Sequence, residues 1–161
     1  MTQTKKTKRV VPPNEILNFK LEFDDDMKLS LNKVWSGWPW TQWVRKKSAD
    51  LWHEDIWYFL EDKRIPKIKE KVDIFMTFYF STWDSGWKRQ LDSSNCAAMG
   101  KMIEDALKYD KKKNPKWILV DDTNDCVWWF SLKSAELTIA ERRELETSYV
   151  DVSIRRHINE L

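Results

Sequence analysis

The chain has 161 residues, enough for one domain with a substantial core. Hydrophobic residues make up 42% and aromatic residues 14%, which excludes an intrinsically disordered chain. Lys and Arg number 28 against 26 Asp and Glu, so the net charge of +2 announces no nucleic-acid binder by itself, and no stretch reaches the ~18 consecutive apolar residues of a membrane span.

Residues 1–15 read as a disordered basic tail broken at Pro12-Pro13, with one domain over 16–161. No apolar run follows Met1, so no secretory signal is expected and a cytoplasmic protein is the default. Phe19, Leu21 and Phe23 alternate with polar partners and predict a strand over 18–23. Asp24-Asp25-Asp26 ends it; three adjacent carboxylates repel one another, so a loop is expected there rather than a metal site. Residues 30–43 form an aromatic loop interrupted by Gly37 and Pro39. A helix follows over 41–60, with Val44, Leu51, Trp52, Ile56, Phe59 and Leu60 on its apolar stripe and Lys46, Asp50, His53 and Glu54 off it.

After a basic linker containing Pro66, residues 72–80 alternate and are largely apolar on both faces, the pattern of a central strand. A second helix is predicted over 95–109, burying Met99, Met102, Ile103, Ala106 and Leu107, with Ser93, Ser94 or Asn95 as its cap. A short buried strand is expected over 117–120, ending at Asp121-Asp122, and another over 126–132. Residues 136–145 fit either a short helix or an irregular hairpin, and 147–154 a closing strand. This order predicts an α/β single domain with a mixed β-sheet and flanking helices. Cys96 and Cys126 fit no metal spacing and are expected to be reduced and packed.

Three carboxylates stand out. Asp92 precedes a helix start, where the positive end of the helix dipole favours an anion. Asp121 and Asp122 follow the 117–120 segment, and a βαβ crossover would bring both acidic sites to one sheet edge. Mg²⁺ prefers oxygen ligands of this kind and can activate water against a phosphodiester. Asp at strand ends is also ordinary turn chemistry, and an Asp-Asp pair alone is a weak signal. Basic residues gather at 5–9, 45–47, 63–71, 88–89 and 108–116. Trp35, Trp38, Trp40 and Trp43 suit either stacking on unpaired bases or a core or dimer interface, with core or interface expected for Trp43. Trp128 and Trp129 fall on opposite sides of one strand, so at least one is expected to be buried. His53 is not expected to act as a base.

Several motifs occur in a fixed order: Lys88-Arg89-Gln90-Leu91-Asp92-Ser93-Ser94-Asn95, then Lys101 with Asp105-Ala106-Leu107, then Val120-Asp121-Asp122. Together with Ser30-Leu31-Asn32-Lys33, Trp40 and Arg45 upstream, this order resembles the RusA-type Holliday junction resolvases over most of residues 18–154. The resemblance implies a RusA-like fold and Mg²⁺-dependent cutting of four-way DNA junctions by a homodimer. It implies Asp92, Asp122 and Lys101 in catalysis, and Asp92, Asp121 and Asp122 as ligands of the ion. Lys33, Arg45, Lys46, Lys88, Arg89, Asn95 and Lys101 would contact DNA. Small resolvases of this type often belong to phages or prophages. Two departures stand out. Ser94 replaces the family's second Asp, with Asp125 a candidate substitute, and the stretch from Asn95 to Lys101 is longer than in short-form members. Two rivals follow: a protein on the same fold that binds branched DNA without cutting it, and a Trp-rich protein-interaction domain.

Overall fold

A computed structural model of the chain describes residues 9–29, 39–82, 93–108, 117–120 and 125–158. Four strands, β1 (Glu15–Phe23), β2 (Val72–Tyr79), β3 (Val127–Ser134) and β4 (Ser148–Arg156), form one mixed sheet in the order β1-β4-β2-β3. Among the described residues three helices accompany it: α1 (Pro39–Asp62), α2 (Ala97–Leu107) and α3 (Ile139–Glu144). β4 is antiparallel to both β1 and β2, while β3 runs parallel to β2 and is reached through α2. A parallel pair cannot be joined by a tight turn, and α2 supplies the crossover it needs.

The register sorts side chains into two faces, because neighbours along a strand point opposite ways. Phe19, Val152, Met76 and Leu132 stand side by side in one row, and Leu17, Ile154, Ile74 and Phe130 in the next. This apolar face receives both long helices. From α1, Trp52, Ile56 and Leu60 are buried, with Trp52 beside Phe23 (5.5 Å between rings) and Phe59 stacked on Phe19 (4.8 Å). From α2, the expected Met99, Met102, Ile103, Ala106 and Leu107 are all buried, as are Gly100 and Glu104. The helices are tied together where Trp57 Nε1 donates to the Ala106 carbonyl (3.1 Å). The opposite face presents rows such as Asn18, Ser153, Phe75 and Ser131, and Lys20, Asp151, Thr77 and Lys133. It is the half-solvated face that a sheet containing antiparallel strands tolerates.

Gly100 lets α2 lie close against the sheet, since a Cβ there would collide with Leu132 Cδ2. Gly100→Ala should therefore cost net stability. Overpacking costs about 1–3 kcal/mol, of which better helix propensity returns about 1. The expected result is a loss of about 1 kcal/mol, seen as a melting temperature lower by about 2–4 °C.

Several expectations need correcting. Residues 117–120 are not a sheet strand. Leu119 makes only isolated bridges, to Ile68 and Lys108, and Ile118 and Leu119 plug the core at 0% and 2% exposure. β3 already occupies the place beside β2, so among the described residues the sheet has four strands rather than five. The closing strand expected over 147–154 is β4, and it lies between β1 and β2. The cap position of α2 is Cys96, in helical geometry and without a side-chain cap, because residues 93–96 already turn ahead of the helix. Residues 139–144 are a helix, begun by a capping box between Thr138 and Glu141.

Residues 9–15, read from the sequence as part of a basic tail, are described, and Asn14 Nδ2 donates to the Arg156 carbonyl (2.9 Å). Among the described residues, the chain is already held at Arg9, whose guanidinium makes a two-pronged ion pair with Glu15 (2.8 Å for Nη1 to Oε1). Ser153 Oγ also donates to Glu15 (2.7 Å). The Arg9 hydrogen bond, aided by Ser153 and opposed by burial, holds the Glu15 carboxyl below its ordinary 4.5. A depressed carboxyl contributes stability above its unfolded pKa and loses it as pH falls through the folded value. Arg9→Ala should then destabilise the chain at about pH 6, and its difference from the unaltered chain should shrink as pH falls through the folded pKa of Glu15; urea titrations over a descending pH series check this.

Candidate functional site

Asp92, Asp121, Asp122, Lys33, Lys88 and Arg89 lie outside the described residues, as does Trp38. Their described neighbours place the segments that carry them. Ser93 Oγ accepts a hydrogen bond from Ser134 N (3.0 Å), which puts the approach to α2 at the C-terminal end of β3. At the other end of α2, Ile118 N and Leu119 N both donate to the Leu107 carbonyl (2.9 Å each). Cys126, next to Asp125, accepts from Val72 N (2.9 Å) at the start of β2. The described residues flanking Asp92 and those flanking Asp121-Asp122 are thus at opposite ends of α2. Its 11 residues span roughly 17 Å at about 1.5 Å per residue.

The expectation of one shared sheet edge rested on residues 117–120 being the strand after the crossover. That strand is β3, which begins beyond Asp121 and Asp122.

The end of the fold near Ser93 gathers part of the expected DNA-contacting set. Ser94 is exposed and Asn95 half-buried ahead of α2. Ser48 of α1 reaches both the Met27 carbonyl (2.8 Å) and Met102 Sδ (3.6 Å), so the first half of α1 lies beside α2 and the chain leaving β1. Arg45 and Lys46 are exposed there. Lys46 pairs with Asp50 (3.3 Å) and Lys47 with Asp26 (3.0 Å). A shallow cleft of about 310 Å³ runs between Trp43, Lys46, Lys47, Asp50, Leu51 and Glu54. Trp43, expected in a core or interface, is 66% exposed at its rim with Lys47 5.6 Å from its ring.

Lys101 lies on the solvent side of α2, as its spacing predicts, at 52% side-chain exposure. Its ammonium pairs with Glu104 (3.0 Å) and Asp105 (3.2 Å), and Asp105 also takes Lys108 (3.1 Å). A phosphate contact by Lys101 must compete with two carboxylates on its own helix. The Asp24–Asp26 run is a turn, as its sequence suggested. Asp24 Oδ1 accepts from the backbone of Asp26 (2.9 Å) and Met27 (3.2 Å), and Asp25 holds the buried Lys28 (3.1 Å).

The end of the fold near Asp125 is aromatic and basic. Trp128 and Trp129 are 55% and 56% exposed, so neither is buried. The register explains it: Val72 faces Val127 and Asp73 faces Trp129, leaving Trp128 as an extra residue of a β-bulge. A bulge breaks the alternation that would have turned one indole inward. Lys71 lies 4.8 Å from the Trp128 ring and Lys67 3.7 Å from that of Trp117. His157 Nδ1 meets the Asp73 carboxylate (3.0 Å), with its ring against Trp128 (5.2 Å). On the open face, Tyr79 and Tyr149 stack at 4.5 Å, and burial pushes both phenols above their ordinary 10.0. Sequence reasoning missed this end because a bulge leaves no mark in a run such as Val127-Trp128-Trp129-Phe130.

Among the described residues, no three His, Cys, Asp or Glu side chains converge as ligands, and no helix is long and apolar enough to cross a membrane. Cys96 is buried, Cys126 half-buried, and neither is in a disulfide. Comparison with protein-family models, with curated proteins and with solved structures gives no match.

Proposed function

We propose that the chain is a Mg²⁺-dependent, structure-specific endonuclease that hydrolyses phosphodiesters in branched DNA, with a RusA-like fold and acting as a homodimer. The observation that carries this reading is the order of chemical groups around α2. Asp92 and Asn95 stand just ahead of the helix, Lys101 lies on its solvent side, and Asp121-Asp122 follows the segment packed against its C-terminal end. Asp92, Asp121 and Asp122 would hold the ion, which would supply an activated water and offset charge on the phosphate. Arg45, Lys46, Lys88 and Arg89, with Lys33 and Asn95, would hold the DNA backbone. A homodimer matches the approximate two-fold symmetry of a four-way junction.

A second reading, binding branched DNA without cutting it, is favoured by the helix length between the two flanks and by the carboxylates already on Lys101. Incubation with a labelled four-way junction, with and without Mg²⁺, separates the two. Paired nicks that require Mg²⁺ support the endonuclease. A tight complex that stays intact supports the second reading, and no preference for the junction over linear duplex removes both.

A further inference from the structure

The aromatic and basic end of the fold is a surface of its own. Residues 67–71 lead into β2 beside Trp117 and the start of β3. Lys67 and Lys69 are exposed, and Lys71 is half-buried. Of the acidic groups near them, Glu70 pairs with Arg156 (3.3 Å) and Asp73 with His157 (3.0 Å), while Asp125 is exposed. Arg155 lies over the Phe75 ring (4.2 Å), carrying the alternation of cation and ring onto the open face. Two adjacent indoles more than half exposed are costly to leave in water unless they meet a partner.

We propose that the ridge formed by residues 67–71 and the start of β3 binds single-stranded DNA, with unpaired bases stacked on Trp128 and Trp129 and the backbone held by Lys67, Lys69 and Lys71. Every base offers a π face to an indole, and Lys71, 4.8 Å from the Trp128 ring, is close enough to pass onto a phosphate when a base takes its place on the ring. A second copy of the chain fits the same ridge poorly, because a two-fold contact would set these lysines against their own equivalents. The proposal takes from the preceding reading only that the ligand is DNA. Val120 and Asp125, both exposed, border the ridge.

The test is fluorescence anisotropy of the full chain with a labelled oligothymidylate of roughly 12 nucleotides, within the ~4–16 that a stacking groove covers. It is run in EDTA, so that failure of cleavage and failure of stacking are separate results. Trp128→Ala and Trp129→Ala should each weaken binding about tenfold, and Trp128→Phe should retain most of it. Lys67→Ala with Lys71→Ala should lower the salt slope by about 1.4. Both indoles are exposed, so the melting curves should match that of the unaltered chain. The proposal is overturned if the chain does not bind the oligonucleotide, or if both Trp→Ala variants bind it unchanged. Equal affinity for duplex DNA would overturn it, as would a dimer of the unaltered chain that Trp128→Ala converts to monomer.

Discussion

Asp92→Asn should lower Mg²⁺-dependent cleavage of a four-way junction about a hundredfold or more while leaving junction binding intact. The substitution keeps the shape of the side chain and removes its charge. A ligated ion is worth several kcal/mol to a phosphoryl transition state, and 2.7 kcal/mol is already a factor of about 100. Binding should hold or tighten, because one negative charge facing phosphate is gone. Asp122→Asn should behave the same way if both carboxylates serve one ion. The described flanks of the two sites stand at opposite ends of α2, which makes the comparison informative. A dead Asp122→Asn beside a fully active Asp92→Asn would move the ion to the C-terminal end of α2, where the exposed Asp125 also stands. Full activity in both variants would remove the carboxylates from the mechanism. Single-turnover cleavage alongside a binding titration reads both quantities.

Much of the fold was legible because its signals are periodic. The alternation of Phe19, Leu21 and Phe23, and of residues 72–80, survives as β1 and β2, and the stripe through Trp52, Ile56 and Leu60 is the buried face of α1. Thr138-Ile139-Ala140-Glu141 is a capping-box sequence, so the helical reading of residues 139–144 was available from the residues themselves. What failed was what pairing decides. A four-residue apolar run such as 117–120 reads as a strand whether or not a sheet has a place for it; here Ile118 and Leu119 are buried in the core, with Leu119 bridged only to Ile68 and Lys108. The bulge at Trp128 follows from registering β3 on β2, which no local pattern encodes. The anchoring of Arg9 depends on Glu15 being held from β4 by Ser153, a contact 138 residues away in sequence.

The candidate site was less legible than the fold, for a related reason. Motif spacing orders chemical groups along the chain, but whether they meet depends on which strand follows the crossover. The 117–120 segment was expected to be that strand, and β3 takes the role. Lys101 shows the same limit. Its place on the solvent side of α2 follows from helical periodicity, whereas its pairing with Glu104 and Asp105 is a competition among rotamers that periodicity leaves open.

Trp52→Ala should be the most damaging single change to stability, at about 3–5 kcal/mol. Trp52 is fully buried, packs on Phe23, and donates from Nε1 to the Met27 carbonyl (3.0 Å). The lost hydrogen bond is the smaller part, because the Met27 carbonyl keeps the bond from Ser48 Oγ (2.8 Å) and is not left without a donor. The cavity dominates: an indole is removed between α1 and the sheet where strand and helix atoms cannot collapse to refill it. Trp52→Phe, which keeps most of the volume, should cost only about 1–2 kcal/mol. Against a total of about 5–15 kcal/mol, the alanine variant would lose about a fifth or more of the fold's stability. In urea its midpoint should fall by roughly 2 M for a slope near 2 kcal/mol/M. Trp43→Ala is the control; with 66% of its surface exposed, it should change stability by no more than about 0.5 kcal/mol. Equal effects at Trp52 and Trp43 would mean that α1 does not pack on the sheet through its Trp52 face.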